Sequence, residues 1–418
     1  TAPASTRSLV AWAFYDWANS AVATVVTSFV FATYFTRAVA ENPELGTAQW
    51  SHAQSAAALA IAVLSPILGA VADRGGRRKP WLAVFTLTSI VSTGLMWFVL
   101  PSPDYVVLAL VLVAIGTLGF EFGTVFYNAM LPDLAPRERL GRWSGWGWGL
   151  GYVGGLLALV ICLVGFVQTE QPWFGVGKEA QANIRATTVV VAVWFAIFAL
   201  PLFLLTPDRP SRGVPMAQAV REGLSMLGRT LRGLRGRPNL LAFLLAQMLY
   251  ADGLATLFAF GGIYAAGTFG MSFAEVIQFG ILLNITAGLG AAAFAPLDDR
   301  MGAKRTILLS LLGLILCGGA VLMVDSKTLF WVFGGVLGIF VGPCQAASRS
   351  MMARLAPAGE RAEMFGLLAL SGKATAFLGP AILGWATLAF MSQRAGMATI
   401  LVFWIAGLVL LTRVREPA

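Results

Sequence analysis

Four ionisable side chains, Asp16, Glu121, Asp252 and Lys373, stand deep within long apolar tracts. At a bilayer centre such a residue costs about 2.5–3.5 kcal/mol on insertion scales, so each calls for a reason. The chemistry open to them is solute binding, proton uptake and release, or mutual neutralisation. Counted along their helices, Asp252 and Lys373 lie about 20 Å and about 17 Å from the charged ends of their tracts. A buried Asp252–Lys373 ion pair is therefore expected, either for solute binding or as plain architecture. Asp16 and Glu121 have no evident basic partner at their depth, which makes them the candidates for carrying protons. Amides extend the same faces. Asp16, Asn19, Ser20 and Thr27 fall on one side of a helix; so do Glu121 and Asn128, and so do Gly338, Gly342, Gln345 and Arg349.

These residues must be positioned by membrane helices. The chain is 58% hydrophobic and 12% charged, with a mean hydropathy of +0.77. Twelve tracts long enough to span a bilayer run at about 9–39, 49–72, 80–100, 104–131, 142–168, 184–206, 239–267, 272–297, 304–324, 328–355, 362–388 and 394–414. Long continuous tracts exclude the short alternating strands of a β-barrel, and backbone groups in lipid must pair internally, so each tract is a helix. The polar stripes fall on tracts one, four, seven and ten, which predicts that they line a common water-filled cavity. Small residues at four-residue spacing (Gly147, Gly151 and Gly155, with Gly145 and Gly149 beside them; Gly280, Asn284 and Gly288) predict close packing of the fifth helix on the eighth, with contacts inside one half the alternative.

Two polar signatures recur half a chain apart. Asp73-Arg74-Gly75-Gly76-Arg77-Arg78-Lys79 returns in weaker form at 299–305, with Asp299, Arg300 and Met301 leading it. Leu134-Ala135-Pro136 before Glu138-Arg139 returns as Leu355-Ala356-Pro357 before Glu360-Arg361. Duplicated bundles around a shared cavity are a common transporter plan. The expected fold is therefore an all-α membrane protein, with twelve transmembrane helices in two pseudo-symmetric six-helix bundles. Residues 1–206 form the first bundle, 207–238 a linker, and 239–418 the second bundle. Asp73, Arg74, Arg77, Asp299, Arg300 and Arg349 are candidates for a latch that gates one side; a topology anchor is the simpler alternative for the 73–79 turn.

The net charge of +9 does not point to nucleic acid. All but six of the 29 Lys and Arg fall on one side if the amino terminus is cytoplasmic, the asymmetry expected of membrane orientation. Both termini then lie in the cytoplasm, and no cleavable signal is expected at the start. The linker carries arginines at 209, 212, 221, 229, 232, 235 and 237 beside Val220, Leu224, Leu227, Leu231 and Leu234. Such a basic amphipathic helix suits an anionic leaflet. Cys162, Cys317 and Cys344 have no paired spacing and read as reduced packing residues. His52 reads as interfacial, with a proton relay the alternative. No nucleotide, metal or nucleophile motif is present, so no cofactor, metal or catalytic residue is expected.

The Asp73–Lys79 turn preceded by Gly69, its copy, and twelve spans in two halves resemble the major facilitator superfamily over nearly the whole chain. More narrowly, FYDWANSA at 14–21, FYNAMLP at 126–132, Tyr250-Ala251-Asp252-Gly253 and Gln345-Ala346-Ala347-Ser348-Arg349-Ser350 resemble the "unknown major facilitator" group, related to vacuolar amino-acid effluxers linked to autophagy. The resemblance implies alternating access driven by a solute or proton gradient. With Met301 in place of the first glycine, weaker gating is expected at the second copy. The combined expectation is a monomeric, proton-coupled exporter of a small polar or zwitterionic solute in a bacterial inner membrane. Its path would be lined by Asp16, Asn19, Glu121, Asn128, Asp252, Gln345 and Lys373. The alternatives are a non-transporting receptor or assembly factor, a facilitative uniporter, or an amphiphile carrier.

Overall fold

The computed structural model describes residues 5–211, 213–271 and 273–416. Arg212, counted above among the linker arginines, lies outside the described residues. Among the described residues, twelve helices are long and apolar enough to cross a membrane. They are α1 (Thr6–Val39), α2 (His52–Gly75), α3 (Lys79–Phe98), α4 (Pro103–Leu134), α5 (Arg137–Val167), α6 (Glu179–Leu205), α7 (Pro238–Phe269), α8 (Gln278–Met301), α9 (Ala303–Met323), α10 (Lys327–Leu355), α11 (Arg361–Thr387) and α12 (Gln393–Thr412).

The duplication read in the sequence governs packing. In the first half α1 packs on α5 and α6, and α4 on α2 and α3. In the second, α7 packs on α11 and α12, and α10 on α8 and α9. The halves meet through the equivalent pairs α5–α8 and α11–α2. At the first seam, a Cβ on Gly145 would stand 2.5 Å from the Ala295 Cβ and 2.6 Å from the Ala291 carbonyl oxygen. Only glycine lets these backbones come so near. Close approach matters because packing, not water exclusion, joins helices in lipid.

Both chain ends and the linker gather at one end of the bundle, called here the linker face. Ser8 Oγ donates to the Leu205 carbonyl at 2.8 Å, and the Ala303 N–H donates to Glu416 Oε1 at 2.8 Å. The linker helix, Met216–Gly233, seats Ala219, Gly223, Leu227 and Thr230 inward, with Gly223 against Val71 of α2. Val220, Leu224 and Leu231 remain exposed beside that seat. The expected apolar face is thus divided between the bundle and the surroundings.

In each motif turn the second glycine carries the positive φ, 87° at Gly76 and 90° at Gly302. Gly75 is still helical, so its counterpart Met301 sacrifices no turn geometry and gives no reason for weaker gating. Within α1 the hydrogen bonding widens to π-helical turns over Val22–Phe29 and Phe35–Val39. Such turns are uncommon and concentrate at functional places.

Candidate functional site

Arg349 projects from α10 of the second half into a cage made by the first. Its Nη1 donates to Asp16 Oδ2 at 2.8 Å and to Asn128 Oδ1 at 3.3 Å. Its Nε donates to Ser144 Oγ at 2.8 Å, and its Nη2 to the Ser144 carbonyl at 2.5 Å. Tyr127 donates its hydroxyl to the same Asp16 oxygen at 3.0 Å. The rings of Trp12, Tyr127 and Trp148 stand 5.0, 5.7 and 5.8 Å from the guanidinium carbon, within the range of cation–π attraction. The side chains of Arg349 and Asp16 are only 5% and 14% exposed, so this is a buried pair. Asp16 therefore has a basic partner, contrary to expectation, and Arg349, expected among the latch residues, lies within α10 and joins the two halves. Its partner was hidden because it comes from the other half.

A second cross-half pair lies deeper. Lys373 Nζ stands 2.8 Å from Glu121 Oε1. Glu121 and Lys373 are each about 18–20 Å along their helices from the linker face. The expected Asp252–Lys373 pair does not form. Asp252 instead serves a break in α11, which is two pieces, Arg361–Lys373 and Leu378–Phe390. Pro380, in the first turn of the second piece, has no N–H, and its ring crowds the carbonyl four residues back. Asp252 Oδ2 accepts the freed Gly379 N–H at 3.2 Å. A carboxylate there satisfies an orphan donor and faces the positive end of the helix dipole. Asp252 is 1% exposed, and its Oδ1 has no hydrogen-bond partner among the described residues.

The single chamber expected from the polar stripes is two cavities. A central one of about 250 Å³ is lined by Asn128, Trp148, Gln247, Tyr250, Gln345 and Arg349, among others. Tyr152 donates its hydroxyl across the halves to Gln345 Oε1 at 2.7 Å. A larger one of about 530 Å³ is lined by Thr27, Gln54, Thr117, Glu121, Lys373 and Phe377, among others. Asp16, Asn19 and Asp252, all expected to line the path, line neither cavity; Asp16 stands behind Arg349, which does line the central one. The arrangement places paired positive and negative groups beside both cavities.

The linker face is closed by reciprocal caps. Asp73 Oδ2 accepts the Glu363 N–H of α11 at 3.0 Å, and Asp299 Oδ1 accepts the Arg142 N–H of α5 at 2.9 Å. Each motif aspartate thus caps the first turn of a helix in the other half. Arg142 adds its Nε to Asp299 Oδ2 at 3.3 Å. Asp133 gathers Arg78 (2.5 Å), Arg209 (2.8 Å) and Arg361, so loop, linker and second half converge on one carboxylate. Arg78 also reaches Asp73 at 3.1 Å; burial pulls its guanidinium below its ordinary range, against the raising effect of both carboxylates. Three of the expected latch cations stand aside. Arg74 donates to the Met226 sulfur at 3.0 Å, while Arg77 and Arg300 are exposed and form no ion pair among the described residues. The cations that engage carboxylates at this face are Arg78 within the first half, Arg209 of the linker, and Arg142 and Arg361 across the halves. Their motifs were visible in the sequence, but which of several adjacent arginines turns inward was not.

Residues 50–142 and 138–417 match the family model described as "Vacuole effluxer Atg22 like". The chain belongs to the Atg22-like family. An uncharacterised MFS-type transporter, YxiO of Bacillus subtilis (strain 168), is 27% identical over 410 residues, covering 97% of this chain and 94% of its own. Autophagy-related protein 22 of Coccidioides immitis is 25% identical over 420 residues, covering 82% and 68%. The Atg22-like chain also shares its fold with solved major facilitator structures. The proton:xylose symporter XylE superposes with a TM-score of 0.75 at 13% identity, covering 98% and 96% of the two chains. The human organic anion transporter MFSD10 superposes at 0.76 and 15%, covering 97% and 99%. This Atg22-like protein is thus an integral membrane protein of the major facilitator superfamily, a superfamily of transporters.

Proposed function

We propose that the protein is a proton-coupled secondary transporter that exports a small polar or zwitterionic, amino-acid-like solute by alternating access. It works as a monomer in a bacterial inner membrane, with the linker face cytoplasmic and both termini inside. The observation that carries this reading is the Glu121–Lys373 pair, which joins the halves beside the 530 Å³ cavity. A proton on Glu121 removes the anion that Lys373 holds. Lys373 is then free to receive a solute carboxylate, and the cross-half tie at this depth is lost. The Arg349–Asp16 pair offers the same exchange beside the central cavity. Each pair holds the halves together only while its charges are intact, so proton or solute binding biases the same equilibrium.

Export is supported by the effluxer description of the family. Orientation is supported by the excess of arginine on the linker face, and the exposed Val220, Leu224 and Leu231 beside linker arginines suit contact with an anionic leaflet. The test is flux from proteoliposomes loaded with a mixture of the twenty amino acids, with and without an imposed pH gradient. Gradient-dependent movement of one or a few of them is expected. Movement indifferent to the gradient would make the protein a uniporter, and none at all would overturn the solute class.

A further inference from the structure

A groove of about 690 Å³ runs between α5 and α8, with α1 behind it. Its walls include Val153 and Leu156 of α5 and Ile285 and Leu289 of α8. Val153 is 47% and Leu289 64% exposed, so the groove opens sideways, toward acyl chains in a spanning protein. The polar side chains within the trough itself, Asn284 and Tyr152, are already engaged. Asn284 Nδ2 donates to the Gly280 carbonyl at 2.8 Å, and the Tyr152 hydroxyl donates to Gln345 on α10. A hydrophilic solute would find little there.

The mouth at the linker face has the opposite character. Arg139 is exposed and engages no carboxylate among the described residues. Arg142 holds Asp299 with its Nε and leaves the rest of its guanidinium 5.9 Å from the Trp146 ring centre. Trp146 is 40% exposed at the same level, where amphipathic rings sit at headgroup depth. Two cations above an apolar trough fit one class of molecule, an amphiphile with an anionic head.

We propose that this groove binds an anionic phospholipid of the surrounding leaflet, with its phosphate on Arg139 and Arg142 and one acyl chain between α5 and α8. The lipid touches both halves along the seam where Gly145 meets Ala295. It therefore favours the arrangement in which the linker face is closed. A zwitterionic phospholipid has the chain but not the net charge, and binds less well. The groove is separate from the linker helix, whose arginines meet the leaflet from below.

The test uses the full chain in phosphatidylcholine nanodiscs doped with a phospholipid carrying a photoactivatable acyl chain. One arm carries it as phosphatidylglycerol, the other as phosphatidylcholine. Labelled peptides are then mapped by mass spectrometry. Phosphatidylglycerol is expected to label the groove walls in α5 and α8 above all other helices. Neutralising each arginine should cut that labelling about fivefold at low ionic strength, first in Arg139→Gln and again in Arg139→Gln/Arg142→Gln. Arg139→Gln alone decides the question if loss of the Arg142–Asp299 pair unfolds the double variant. Val153→Trp, which fills the trough, should abolish labelling while thermal unfolding stays unchanged. The linker variant Arg221→Gln/Arg229→Gln should leave it intact. Equal labelling by the two lipids, labelling spread evenly over the lipid-facing helices, or equal loss in the linker variant would each overturn the proposal.

Discussion

Asp16→Asn is the most informative perturbation of the site. Arg349 has four acceptor contacts in the first half, and Asp16 supplies the only carboxylate among them. Removing one partner of a buried pair costs about 3–5 kcal/mol, because it leaves a charge uncompensated. The amide introduced by the substitution keeps an acceptor oxygen near Arg349, and Asn128 and Ser144 remain, so the lower end of that range applies, about 3 kcal/mol. The contact exists only while the halves are together, so the loss falls on the closed linker face and not on the open one. At 1.4 kcal/mol per factor of ten, the closed-to-open ratio should fall roughly a hundredfold. Spin labels at Arg137 and Gly359, exposed positions on the two halves at the linker face, report that ratio by double electron–electron resonance. Asp16→Asn should add or enlarge a long-distance population. Arg349→Met alone should do the same by stranding Asp16. The double variant should recover most of the short distance, giving a coupling of about 0.5–3 kcal/mol between the sites. Unchanged distances in Asp16→Asn, or strictly additive effects in the double variant, would show that the pair does not hold the halves together.

Three further outcomes are expected. Glu121→Gln should abolish pH-gradient-driven accumulation in proteoliposomes while sparing solute exchange; a retained gradient response would take proton coupling away from Glu121. Asp252→Ala should lower thermal stability by about 0.5–2 kcal/mol, the worth of a helix cap, whereas Asp252→Asn, an equally good cap, should not. Equal losses in both would mean that the charge matters and the cap does not. Gly145→Val should open the α5–α8 seam, at about 1–3 kcal/mol for forced overpacking, and lengthen the same spin-label distance; wild-type behaviour would place the seam's strength elsewhere.

The helices, the duplication and the meeting of α5 with α8 were legible because they rest on periodicity, and periodicity is local. Which glycines make that seam was not. The row Gly147, Gly151 and Gly155 lies against α1, where a Cβ on Gly151 would stand 2.8 Å from Ser20 Oγ and one on Gly155 2.5 Å from Thr24 Oγ1, while Gly145 and Gly149 face α8. The ion pairs were not. Depth along a helix can be counted, but from the tract ends read in the sequence it paired Lys373 with Asp252 and left Glu121 without a partner. From the helix ends of the structure, both acids lie about 20 Å from the linker face. What chose between them was rotation about the helix and the neighbour across the seam, neither of which one chain's spacing encodes. The break in α11 left a mark at Gly379-Pro380, a breaker dipeptide, but a proline inside an apolar tract is tolerated in membrane helices and does not by itself announce a gap. Asp252 was read as a charge seeking a charge when it was a charge seeking an N–H. The polar stripes on α1, α4, α7 and α10 pointed inward, yet Asn19 and Asp252 are buried in helix contacts and line neither cavity, because an inward face also includes the contacts between neighbouring helices.

The two cross-half pairs within the helix bundle, away from the linker face, run in one direction: the acids, Asp16 and Glu121, come from the first repeat, and the bases, Arg349 and Lys373, from the second, whereas Arg142–Asp299 at the linker face runs the other way. The repeats have therefore stopped being interchangeable. Made alone, the first would carry two stranded anions in its core and the second two stranded cations. Neither could find relief in another copy of itself. Split into separate chains, the molecule should reassemble only as unlike partners, with opposite charge as the mark by which each recognises its counterpart.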